Sequence, residues 1–195
     1  MVKRLADNIS NYISFELNYD DEKSEILSYG LQIFLGTSIK TVSILILAYI
    51  LNIFETTVAV SLSFVIFRRI IGGSHVDTYN KCYCLSISLM ILAGIAGEVI
   101  SLEAPNILIL ILLIYVLAVI ATILWIPAGT EKKMIRNKVT RKRIKIKTIC
   151  LLTIWCLVCN YLNNIELFRY VTSSLLGVTL SFFLASPLGY KFTNF

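Results

Sequence analysis

The stretch Arg68-Arg69-Ile70-Ile71-Gly72-Gly73-Ser74-His75-Val76-Asp77-Thr78-Tyr79-Asn80-Lys81-Cys82 gathers the one histidine of the chain, a cysteine, tandem glycines and three basic residues. A thiol becomes a strong nucleophile once ionised, and an imidazole that takes its proton and stays beside it as a cation stabilises the thiolate. His75 and Cys82 are of the types that fill those two roles, and Arg69 and Lys81 favour the same ionised state. Gly72 and Gly73, lacking Cβ atoms, can turn the backbone so that its amides face a developing oxyanion. Spacing sets a condition. Seven residues of helix return to the same face but rise about 10.5 Å, too far for imidazole and thiol to meet. Either the helix breaks between them, or the pair closes when substrate binds, or the partner comes from a second subunit. Asp77, Thr78 and Asn80 are weak helix formers and permit a break. Asp77 and Ser86 are candidates to orient His75. On pattern alone the same residues also fit an ordinary membrane boundary, with Arg68-Arg69 as a positive anchor.

The remaining soft chemistry is thin. Cys84, two positions beyond Cys82, lies about 200° away around a helix and is expected to be dispensable. Cys150, Cys156 and Cys159 fall inside apolar segments, where cysteine behaves as a small hydrophobe. Five cysteines without a regular framework argue against a disulfide scaffold. His75, Asp77, Cys82 and Cys84 match no common zinc spacing. No phosphate-binding loop is present. No metal, other cofactor or nucleic-acid partner is expected.

The elements that must carry this stretch are membrane elements. Of 195 residues, 57% are hydrophobic and 15% charged, and the charges cluster, leaving long apolar runs. Ile107 to Ile126 holds twenty residues without charge, Pro or Gly, about 30 Å of helix and the thickness of the hydrocarbon core. Further apolar segments run at about 31–54, 56–71, 82–102, 148–162 and 167–188. The expected fold is all-α and polytopic, with about six transmembrane or partly re-entrant helices. The second segment has an uncharged part of only about 18 Å, ends in Arg68-Arg69 and Gly72-Gly73, and does not easily cross unaided. Ahead of them, Leu5, Ile9, Tyr12, Ile13 and Leu17 recur at helical spacing, predicting an amphipathic surface helix within residues 1–25. The first thirty residues lack the pattern of a cleaved signal peptide. One integral membrane domain over 1–195 is the simplest organisation.

Nine of the eighteen Lys and Arg residues (Lys132, Lys133, Arg136, Lys138, Arg141, Lys142, Arg143, Lys145, Lys147) crowd into residues 127–147, which makes that loop cytoplasmic. Counting back puts Arg68 to Lys81 and both termini on the same side, with Glu55, Glu103 and Glu166 outside. Polar residues in so small a bundle suggest a homodimer. A transporter is the rival class, since charged residues in membranes mark substrate paths, and Arg169, Lys40 and Glu98 would carry it. A purely structural or regulatory subunit is the third.

Arg68-x-x-x-Gly72-Gly73-x-His75, then Cys82 after six residues, then Ser86, resembles the signature of the AgrB family, membrane endopeptidases of Gram-positive quorum sensing. Chain length, the number of apolar segments and a Pro127-led basic loop with Lys132-Lys133 are similar too, so the likeness covers nearly the whole chain. Val76 stands where the family often has a small residue, and Met134 where a Pro often follows the lysines. The resemblance implies that Cys82 is a nucleophile and His75 its general base, with Arg68 and Gly73 shaping the site and Lys132 and Lys133 touching substrate. It implies as partner an AgrD-like precursor: a short peptide with an amphipathic leader, a central cysteine or serine, and an acidic tail. Cys82 would attack before the tail and hold the peptide as a thioester, from which the peptide's own thiol closes a thiolactone.

Overall fold

The computed structural model describes residues 2–74, 78–103, 106–128 and 137–193. They form eight helices: α1 (Val2–Glu16), α2 (Asp21–Ile50), α3 (Phe54–Ile71), α4 (Tyr79–Glu103), α5 (Ile107–Trp125), α6 (Lys138–Asn164), α7 (Phe168–Ala185) and α8 (Pro187–Thr193). The all-α expectation holds, and five of these (α2, α4, α5, α6, α7) are long and apolar enough to cross a bilayer. The exception among the expected six is α3. Its eighteen residues span about 27 Å, more than its uncharged core suggests, but it carries Glu55, Arg68 and Arg69.

The chain divides into two compact units, 1–46 and 47–195. In the first, α1 buries Ala6, Ser10 and Ser14, a small-residue ridge at four-residue spacing, and leaves Leu5 and Tyr12 exposed. Ser10 Oγ donates to the Ser24 carbonyl at 2.8 Å, and Ser28 Oγ to the Asp7 carboxylate at 2.6 Å. The surface helix therefore faces α2 with its small residues, and its apolar stripe stays available to a bilayer. It also ends nine residues before position 25, where α2 has already begun.

In the second unit α7 is the central helix, with eleven of eighteen residues buried. Lipid is as apolar as leucine, so helices in a bilayer associate through close packing, which favours small residues. That rule is visible here. A Cβ on Gly177 would overlap the Val60 carbonyl and stand 3.1 Å from the Phe64 nitrogen, so α7 lies directly against α3. A Cβ on Gly94 would overlap the Thr57 hydroxyl, and one on Gly97 would come within 2.5 Å of Ser173 Oγ, which brings α4 onto α3 and α7. Thr172 Oγ1 adds a hydrogen bond of 3.1 Å to the Gly97 carbonyl.

Charge closes one end of this three-helix seam. Arg169 at the start of α7 donates to Glu98 of α4 at 2.7 and 3.1 Å and lies 3.7 Å from Glu55 of α3, to which the Tyr170 hydroxyl donates at 3.0 Å. The C-terminus of α3, the N-terminus of α4 and the C-terminus of α7 meet at the opposite end. There Phe67 is fully buried, edge-on to Trp155 of α6 at 6.2 Å and tilted against Phe182 of α7 at 6.0 Å.

Candidate active site

Helix α3 ends beyond this aromatic cluster, and its ending is built from glycine and Arg68. The Gly72 amide donates to the Arg68 carbonyl at 3.1 Å, with Gly72 at φ +74° and Gly73 at φ +135°. Side chains disfavour that half of the map, which is why glycines stand here. The Arg68 side chain then folds over the loop it precedes. Nη1 donates to the Gly72 carbonyl at 2.9 Å and Nη2 to the Ser74 carbonyl. The planar guanidinium holds two carbonyls at fixed separation, as a lysine ammonium on its flexible stem does not. Space is equally tight: a Cβ on Gly73 would overlap the guanidinium and lie 2.9 Å from the Leu184 carbonyl oxygen, and one on Gly72 would lie 2.5 Å from the Ala128 carbonyl oxygen.

Two other elements grip the same loop. Ala128, after α5, donates its amide to the Ile71 carbonyl at 3.0 Å and forms an isolated parallel bridge with Gly72. Ser74 donates its amide to the Leu184 carbonyl at 3.1 Å, and its buried hydroxyl lies 3.0 Å from that oxygen and 3.4 Å from the Gly189 carbonyl oxygen. Leu184 and Gly189 flank the corner between α7 and α8. Ser186 caps α8 there, with its hydroxyl accepting from the Gly189 amide at 3.3 Å, and Pro187 takes the first helical position.

Cys82 lies in the first turn of α4, its amide donating to the Thr78 carbonyl at 3.0 Å. It is half-buried, whereas Cys84 is exposed on another face. Ser86 follows one turn after Cys82 and is also half-buried. The positive charge of Arg68 reaches both Cys82 and Tyr190 of α8. Burial pushes the Tyr190 phenol above its ordinary range, and Arg68 pulls it partly back. Arg68 is thus bonded to the loop and electrostatically coupled to the thiol and to α8. Of the two glycine amides considered for an oxyanion, that of Gly72 is occupied by the Arg68 carbonyl, while that of Gly73 makes no hydrogen bond among the described residues.

His75, Asp77, Lys132 and Lys133 lie outside the described residues. The loop and the cysteine on either side of 75–77 are described, and they fall at one end of α3, α4 and α7. Sequence reasoning did not find Ser74, the Leu184 carbonyl, Gly189 or Tyr190. A single serine carries no pattern, and the apolar segment expected over 167–188 runs straight across the corner at Ser186-Pro187, where α7 ends and α8 begins.

An all-α membrane protein with several apolar helices and a glycine-hinged, arginine-held loop beside a cysteine is the class that these features define. The chain belongs to the accessory gene regulator B family, whose model matches residues 6–185. It is similar to an AgrB-like protein of Clostridium perfringens strain SM101 (29% identical over 158 residues, covering 80% of this chain and 74% of that one). It is also similar to accessory gene regulator protein B of Staphylococcus saprophyticus (27%, covering 93% and 92%) and of Staphylococcus aureus strain Newman (28%, covering 76% and 77%). No solved structure matches the chain.

Proposed function

We propose that this protein is a membrane-embedded cysteine endopeptidase that removes the C-terminal tail of a short quorum-sensing precursor peptide and promotes its cyclisation. The observation that carries this reading is the glycine loop that Arg68 holds immediately before position 75, with Cys82 in the first turn of α4 at the same end of the helices, within a family match that spans both. In the proposed reaction His75 takes the Cys82 proton, and the thiolate attacks the carbonyl carbon before the tail. The Gly73 amide is the donor available to the resulting oxyanion. As that intermediate collapses, His75 returns the proton to the leaving amine, the tail departs and Cys82 holds the peptide as a thioester. The precursor's own thiol then attacks the thioester carbonyl, its proton passing to His75 and on to the Cys82 sulfur as that leaves. One thioester replaces another, so ring closure requires no nucleotide.

The substrate is an AgrD-like precursor. The sequence puts Lys132 and Lys133 shortly before Lys138, Arg141 and Lys142 at the start of α6, a basic run suited to an acidic tail, and the bilayer collects an amphipathic leader. The basic cluster orients the chain with the site and both termini cytoplasmic. Asp77 and Ser86 are proposed to orient His75, and a homodimer is the proposed assembly. A half-buried Cys82 suits a site that limits hydrolysis of the thioester. The test is purified protein in lipid vesicles with the candidate precursor, followed by mass. A released tail and a peptide-bound Cys82 are expected. Cys82→Ser abolishes release and Cys84→Ser leaves it intact; the reverse outcome overturns the assignment.

A further inference from the structure

Ser74 is the last described residue before His75, and its surroundings are more constrained than a loop serine requires. It is 5% exposed, and both its amide and its hydroxyl are directed at the Leu184 carbonyl, with the Gly189 carbonyl also in reach of the hydroxyl. The carbonyl of the same residue accepts from Arg68. A single residue thereby joins α3, through Arg68, to the corner of α7 and α8. That corner is itself closely bonded and packed. Ser186 Oγ donates to the Phe183 carbonyl at 2.7 Å while accepting from the Gly189 amide, and Phe183 packs edge-on against Phe192 of α8 at 6.0 Å. A Cβ on Gly189 would overlap the Phe183 carbonyl oxygen and stand 2.6 Å from Leu184 Cα, so the corner closes only around glycine.

We infer that Ser74 is a positioning residue for the proposed dyad, and that the α7–α8 corner serves as the fixed wall to which it ties the start of the His75 segment. The inference rests on the reading of His75 and Cys82 as base and nucleophile. A base that must meet a thiol across seven residues needs its chain anchored on at least one side, because misplacement of about 1 Å costs about a hundredfold in rate. The Ser74 hydroxyl supplies that anchor from outside α3 and α4, tying the chain just before position 75 to a different element from the one that carries Cys82. Among the described residues, Arg68 of α3 and the Tyr79 phenol of its own helix are electrostatically coupled to Cys82, and both are retained when Ser74 is replaced.

The experiment needs no precursor. Protein in lipid vesicles is treated with iodoacetamide across a range of pH, and modification at each cysteine is followed by fragment mass. At about pH 6.5 an unassisted thiol is only about 1% ionised, so a paired Cys82 reacts far faster than an unpaired one. His75→Asn should slow Cys82 by about tenfold or more at that pH and shift its profile upward, and Ser74→Ala should reproduce most of both effects. Buried Cys159 monitors folding in the same sample by staying unmodified. If Ser74→Ala exposes Cys159, Gly189→Ala decides in its place, since it displaces the corner without altering Ser74. Wild-type reactivity in the deciding variant, with His75→Asn slowed, overturns the positioning role and leaves the dyad standing. Equal profiles for wild type and His75→Asn overturn the dyad, and the inference with it.

Discussion

The guanidinium of Arg68 is occupied by its own chain, donating to the carbonyls of Gly72 and Ser74, so its part in the site is to hold a loop. Gly73 is the residue that lets it do so. Two independent constraints fall on that position: a φ of +135°, and a guanidinium where a Cβ would be. Gly73→Ala meets both, with backbone strain of about 1–3 kcal/mol and displacement of Arg68. The expected outcome is a fall of about a hundredfold in tail release in the vesicle assay. Wild-type turnover in Gly73→Ala would show that the loop geometry is immaterial. At this scale the sequence was informative where chemistry is rare. One histidine, tandem glycines and a cysteine stand out against an apolar background, and a buried serine bonded to distant carbonyls does not. The partners of Ser74, Leu184 and Gly189, lie 110 and 115 positions away, and nothing local announces such a pairing.

At the scale of helices, apolar length was legible because the bilayer demands it, and all five candidate spans coincide with predicted segments. The starts were less so. Helix α6 begins at Lys138, inside the expected basic loop, because Asn137 caps it by accepting from the Val139 amide at 2.9 Å and lysine and arginine propagate helix well. Helix α2 begins at Asp21, ten residues before the apolar run, with acidic residues in its first turn. Polar helix and polar loop look alike to a hydropathy argument. The pairing of α3 with α7 was not legible at all, since Gly177 is one of several small residues along α7 and nothing in the sequence marks α3 as its partner. Gly177→Ala should push α7 off α3 at a cost of about 1–3 kcal/mol. A thermal-unfolding midpoint several degrees below wild type in lipid is the expected result. An unchanged midpoint would mean that the close approach to Val60 is not needed.

For the molecule as a whole, the ionic cluster and the candidate site lie at opposite ends of the α3, α4 and α7 seam, which separates two readings of the same charges. Arg169 and Glu98 would line a path in a transporter, but in this structure they pair with each other, and Arg169 also reaches Glu55. The arrangement ties three helix ends together. Exposed pairs contribute little, about 0–1 kcal/mol each, so the cluster is a light clamp. Arg169→Gln should therefore lower the unfolding midpoint by only a degree or two. Precursor cleavage should stay within about threefold of wild type, because a cluster that touches neither Cys82 nor the Arg68-held loop shares no partner with them. The comparison is made in one vesicle preparation, with tail release measured by mass and peptide accumulation measured inside the vesicles. Loss of accumulation with cleavage intact would assign these charges to translocation. Loss of cleavage with the midpoint unchanged would couple the two ends of the seam and assign the ionic cluster a part in cleavage.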